Sequence, residues 1–199
     1  LIGDLFRAGR GAVLLGAHFG SFEALRAFDR ALPGLQVRYL MFPDHAPHST
    51  ALLREVNPEV ADRVISLANG PAAMIEVFEA LERGEFVAFL GDRMPSQTTR
   101  AKLSLPFFGD TIEVPTSPYI AAIAAKVPLI LCIAPRLGKA HYAIDFKMLY
   151  DGTKVARADR DARIAALAQH YVSILETLCR RHPYNWFNFF DFWSPPTDE

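Results

Sequence analysis

Short apolar runs that break at a glycine into polar residues set the strongest limit on what this chain can fold into. Ala12-Val13-Leu14-Leu15-Gly16 leads into Ala17-His18-Phe19-Gly20-Ser21, and Glu85-Phe86-Val87-Ala88-Phe89-Leu90-Gly91 leads into Asp92-Arg93. Such runs read as buried strands. Behind the first, residues Ser21 to Asp29 read as a helix, because Phe22, Leu25, Phe28 and Leu32 recur at helical spacing. His18 then lies in a strand-to-helix turn, and Glu23 lies in the first turn of the helix. In an open α/β sheet, ligands bind at the carboxyl ends of the strands. Asp92 and Arg93 follow a strand as His18 does, so both groups are expected at one edge of the sheet.

The rest of the pattern alternates in the same way. Gln36 to Phe42, Arg63 to Leu67 and Leu129 to Ala134 read as strands. Asn69-Gly70-Pro71 opens a helix with Met74, Ile75, Phe78 and Leu81 on one face, and Gly84 closes it. Residues 94 to 114 show no helical period and read as a loop. Thr116 to Lys126 reads as a helix, and Tyr142, Ile144, Phe146 and Met148 as a half-buried strand. Ala162 to Arg181 reads as a long helix striped by Ile164, Leu167, Tyr171, Ile174 and Leu178, ended by Pro183. This order predicts an α/β fold with a mixed central sheet flanked by helices.

With 199 residues, 51% of them hydrophobic, the chain can bury a substantial core as one domain. Lys plus Arg is 21 and Asp plus Glu is 22, a net charge of -1, which gives no electrostatic argument for nucleic acid. The two cysteines, Cys132 and Cys179, form no Cys-x2-Cys pair and read as reduced thiols. No segment offers the roughly 18 uninterrupted apolar residues of a membrane span. The chain opens on Leu1-Ile2-Gly3-Asp4, as if cut from a longer protein.

Each candidate group has a chemical and a structural reading. Glu23 can curl back onto one ring nitrogen of His18, fixing its tautomer and leaving the other to take a proton. Alternatively, Ser21 is an N-cap and Glu23 a favourable partner of the helix dipole. Arg93 can hold a phosphate or carboxylate by its planar fork, or form a salt-linked turn with Asp92. Phe107-Phe108-Gly109 is either a plug on the core or a wall of an acyl-chain channel. Asp44, His45 and His48 are zinc-type ligands, but the stretch is broken by Pro47 and has no identifiable fourth ligand, so a polar loop and no metal are expected. Seven aromatics crowd residues 184 to 193, with Asn185, Asn188 and Asp191 as a polar stripe. That tail either seals the core or faces lipid; Trp186 is expected in the core and Trp193 partly exposed.

Four blocks, in order, resemble a known family. The run from His18 to Glu23 is similar to the His-x4-Asp/Glu motif of the lysophospholipid acyltransferase superfamily, in its lipid A late-acyltransferase branch. Phe89-Leu90-Gly91-Asp92-Arg93, Leu105-Pro106-Phe107-Phe108-Gly109 and the run Val127 to Arg136 resemble that branch's later blocks. The Phe-Pro-Glu-Gly-Thr-Arg block of the glycerolipid branch is absent, which argues against a glycerol-phosphate acceptor. The aromatic ending resembles a sub-branch of predicted acyltransferases, some linked to pigment-type polyene lipids.

The resemblance implies one acyltransferase domain over residues 1–199, truncated at its N-terminus, with a glycerol-3-phosphate acyltransferase-like layered architecture. It implies transfer of an acyl group from an acyl carrier protein or coenzyme A thioester to a hydroxyl or amine of a lipid-like acceptor. His18 would be the general base and Glu23 its orienter. Gly20, Ser21, Asp92, Arg93, Phe107, Phe108 and Gly109 would bind substrate, with the Gly20 and Ser21 N–H groups and Arg93 as oxyanion donors. No cofactor beyond the donor thioester is implied. The setting would be bacterial, in the cytoplasm or at the cytoplasmic face of the inner membrane with peripheral contact. No covalent intermediate is expected, since there is no Gly-x-Ser-x-Gly elbow and no cysteine near His18 in sequence. A hydrolase using the same dyad, and a non-catalytic lipid-binding module, are the alternatives.

Overall fold

The computed structural model describes residues 1–21, 31–41, 62–94, 101–139, 141–189 and 192–193. The helix expected over Ser21 to Asp29, with Glu23 in it, lies almost wholly outside the described residues. So do Asp44, His45, His48 and Asp191.

In chain order the sheet and hairpin strands are β1 (Ala12–Gly16), β2 (Val37–Met41), β3 (Val64–Ser66), β4 (Phe86–Leu90), β5 (Lys102–Phe107), β6 (Asp110–Pro115), β7 (Leu129–Ile133), β8 (Arg136–Gly138), β9 (His141–Tyr142) and β10 (Asp145–Tyr150). The α-helices among the described residues are α1 (Ile2–Arg7), α2 (Pro71–Glu82), α3 (Ser117–Ala125) and α4 (Arg160–Arg181). Six strands form the central sheet in the order β10-β7-β1-β4-β2-β3. Strand β10 runs antiparallel to β7, and the remaining pairs are parallel, so the expected mixed α/β sheet is present.

The apolar runs are explained by burial on both faces. Alternate residues of each central strand enter different clusters, as the two-residue period of a strand requires. Val13, Leu15, Val87, Phe89, Leu129, Leu131 and Ile133 join the main core with α2, α3 and α4. Ala12, Phe86 and Ile130 face the other way and pack with Ile2 and Leu5 of α1. A helix as short as α1 carries too few turns to leave a periodic stripe, and nothing in the sequence pattern marks it.

Three readings need correction. First, α2 buries Ala73, Val77, Ala80 and Leu81, whereas Ile75 is 60% exposed. Small residues let the helix lie close to its neighbours, so the inner face is not the one with the largest side chains. Second, residues 102–115 are a hairpin rather than a loop, with Lys102 opposite Pro115 and Phe107 opposite Asp110. Leu103, Leu105 and Phe107 alternate with exposed neighbours, a two-residue period that a search for helical spacing passes over. Its turn, Phe108-Gly109, has φ of 54° and 87°, the positive values that two-residue hairpin turns of the favoured hand require. Third, Tyr142 belongs to β9, and β10 buries Leu149 and Tyr150 while Met148 is exposed.

Candidate active site

Parallel pairing of β1 with β4 sets Gly16 opposite Leu90, so His18 and Asp92 each leave the sheet two residues past a paired position. They meet there. His18 Nδ1 lies 2.9 Å from Asp92 Oδ1, and the His18 backbone N–H donates to Asp92 Oδ2 at 3.0 Å. The Trp186 indole N–H donates to that same Oδ2 at 3.0 Å. The Asp92 side chain is wholly buried, while the His18 side chain is 28% exposed. Burial works to raise the Asp92 pKa. The hydrogen bond and charge of His18, then the Trp186 indole and the His18 amide, outweigh burial and hold the carboxyl below its usual range. An ionised Asp92 makes Nδ1 the protonated ring nitrogen and leaves the lone pair on Nε2.

The turn that carries His18 is stitched to two distant segments. Gly20 N–H donates to the Asn185 carbonyl at 2.8 Å, and Ser21 N–H donates to the Ala134 carbonyl at 3.0 Å. The oxyanion role expected of these two amides is therefore corrected: both already bond to backbone carbonyls. Gly20 has φ of +74°, and a Cβ there would sit 2.0 Å from the Ala134 oxygen. Only glycine fits. Phe187 N–H donates to the His18 carbonyl at 2.8 Å, and Arg93 Nη2 donates to the Phe187 carbonyl at 2.7 Å. Arg93 thus ties down the C-terminal segment, and its guanidinium also feels the charge of Asp92. On the far side, the buried Tyr171 hydroxyl donates to the Gly16 carbonyl at 2.9 Å.

A histidine on a buried carboxylate at the strand ends suits proton transfer. The model of the bacterial lipid A biosynthesis acyltransferase family matches residues 2–194. The chain belongs to that family. It is accordingly an acyltransferase of the lipid A type. No curated protein matches it.

The remaining site residues of this acyltransferase divide by burial. Phe107 is fully buried, its ring edge-on to Phe108 at 4.8 Å and to Trp186 at 5.2 Å. Phe108 is 39% exposed, with the Arg180 guanidinium 4.7 Å from its ring centroid. Phe107 is thus a plug on the core, and Phe108 with Gly109 forms the outer turn. In the tail, Trp186 is only partly buried against the main core, where the sequence placed it inside, and Trp193 is 43% exposed, as expected. Asn185 is buried, accepting from Arg136 N–H at 2.6 Å. Burial pushes the Cys132 and Cys179 thiols up to about 12, so neither is a ready nucleophile. Among the described residues no group of three or more His, Cys, Asp or Glu could hold a metal ion, and no helix is long and apolar enough to cross a membrane.

The sequence reading missed two partnerships. Asp92 appears there as a substrate-binding residue, and Trp186 only as core. A partial signal for the first lay in the sequence, where polar residues follow both apolar runs; they meet because β1 and β4 are adjacent and in register. For the second, a buried indole N–H needs an acceptor, but nothing local names a carboxylate 94 residues away.

Proposed function

We propose that His18 is the general base of acyl transfer from an acyl carrier protein or coenzyme A thioester to a hydroxyl or amine of a lipid-like acceptor. The observation that carries this reading is the 2.9 Å contact of His18 Nδ1 with the buried Asp92 carboxylate, in a chain of the lipid A acyltransferase family. With Nδ1–H held by Asp92, Nε2 takes the acceptor's proton as its oxygen or nitrogen attacks the thioester carbonyl. The tetrahedral intermediate then collapses, the C–S bond breaks, and the imidazolium returns its proton to the departing thiolate. The products are the acylated acceptor and a free thiol. Asp92 stabilises the positive ring between these steps. Glu23, five residues after His18, is a second carboxylate for the same imidazolium. Phe108 and Gly109 border the acyl chain, and the protein meets its lipid acceptor at the cytoplasmic face of the inner membrane.

Thiol release measured with and without a lipid acceptor tests the reading. Release that requires acceptor and disappears in His18→Ala supports it; release independent of acceptor makes the protein a hydrolase. Mass spectrometry of whole-cell lipids with and without the intact gene then identifies the acceptor.

A further inference from the structure

We infer that Trp186 is a positioning residue for this acyl transfer, its indole N–H fixing the Asp92 carboxylate that orients His18. The inference rests on His18 being the general base. Asp92 receives three hydrogen bonds: Oδ1 meets His18 Nδ1, while Oδ2 accepts from the His18 backbone at 3.0 Å and from Trp186 Nε1 at 3.0 Å. Both His18 donors belong to one residue, so Trp186 is the brace that comes from elsewhere in the chain. A wholly buried carboxylate needs such donors to stay ionised and to keep one orientation.

The indole is itself held. Its ring stands edge-on to Phe107 at 5.2 Å and 74° and to Phe192 at 4.8 Å and 72°. The backbone on either side is bonded to the His18 turn, through Gly20 N–H to Asn185 and Phe187 N–H to His18, and Phe19 bridges Trp186 directly. A segment far from the motif in sequence therefore sets the aim of the base.

Trp186→Phe keeps an aromatic ring and removes the N–H. A hydrogen bond to a buried charge is strong enough that its loss is expected to lower kcat roughly 10- to 100-fold, with KM for donor and acceptor unchanged. The downfield proton resonance of His18 Nδ1–H should broaden or move upfield. Replacing Trp186 by 3-benzothienylalanine keeps the bicyclic shape without the N–H and should reproduce both effects, even if the phenylalanine variant folds poorly. Phe192→Leu, which loosens packing but spares the N–H, should leave the resonance in place. Wild-type kcat and resonance in the benzothienyl protein, or a raised KM with unchanged kcat, would overturn the inference. Activity persisting in His18→Ala would instead overturn the general-base reading on which it rests.

Discussion

The two strand exits that build the site follow one plan and end in opposite environments. After β1 the chain runs Ala17-His18, and after β4 it runs Gly91-Asp92. Parallel registry brings both to the same edge, yet the His18 side chain keeps 28% of its exposure and Asp92 none. The difference comes from what covers each exit. Asp92 lies under Trp186 and the turn that carries His18, with donors from both. His18 is pinned by Phe187 at its carbonyl and by Asp92 at Nδ1, and its side chain is still partly exposed. A base must meet its substrate, whereas its partner works best dry, because a charge-assisted hydrogen bond is stronger away from water. The contrast teaches that burial divides the two roles, and topology only brings them together.

The largest effect should come from the exposed member. His18→Ala is expected to lower acyl transfer by about 10² to 10⁴-fold. Its urea midpoint should fall as well, by about 1–3 kcal/mol of stability, because the buried Asp92 carboxylate loses its Nδ1 donor. An unchanged midpoint would mean that Asp92 does not depend on His18 to stay ionised. Gly20→Ala comes next: the new Cβ collides with the Ala134 carbonyl and the residue sits at positive φ, so a loss of about 3 kcal/mol or more is expected in denaturant melts. Full stability in that variant would show that the turn is not clamped between residue 134 and the tail.

Asp92→Asn should lose activity nearly as fully as His18→Ala and, like it, lose about 1–3 kcal/mol of stability, here because buried donors lose a charged acceptor. The effect should depend on pH. The Asp92 carboxyl titrates below its ordinary value of 3.8 in the folded chain, so its contribution is complete above that value. It fades as pH falls through the folded pKa. The gap between wild type and Asp92→Asn, followed by chemical denaturation, should therefore narrow only below about pH 4. A constant gap down to pH 2 would mean that the carboxylate is not preferentially ionised in the native state. The smallest change is expected from Arg93→Lys. With Nη2 on the Phe187 carbonyl, the side chain tethers the tail, and a lysine retains one donor for that bond. Activity should fall about two- to threefold, since surface-accessible single hydrogen bonds contribute little. A hundredfold loss would return Arg93 to direct contact with substrate.

Much of the fold was legible. The runs 12–16, 86–90 and 129–133 carry apolar residues on both faces, a requirement of central strands that no tertiary detail changes. Helix α4 declares itself through its stripe and its Pro183 stop. The meeting of His18 and Asp92 at one edge was also accessible, since parallel strands of similar length leave the sheet together. The 102–115 hairpin shows where reading by one period fails: its alternation is present in Leu103, Leu105 and Phe107, but Pro106 and Phe108-Gly109 suggest a loop to a search for helices.

The α/β class and the histidine at the strand end were determined by the sequence alone, through local period and order, and the acyltransferase family through the resemblance of four ordered blocks. Only the tertiary structure decided what holds that histidine. Asp92 lies 74 residues away and Trp186 a further 94 beyond Asp92, and their distances of 2.9 and 3.0 Å depend on registry and on the path of the tail. The Gly20 and Ser21 amides look available in a one-dimensional reading and are bonded to carbonyls from residues 185 and 134 in three dimensions. Local patterns dictate which element a residue joins, whereas hydrogen bonding is a matter of tenths of an ångström between elements that only packing brings together.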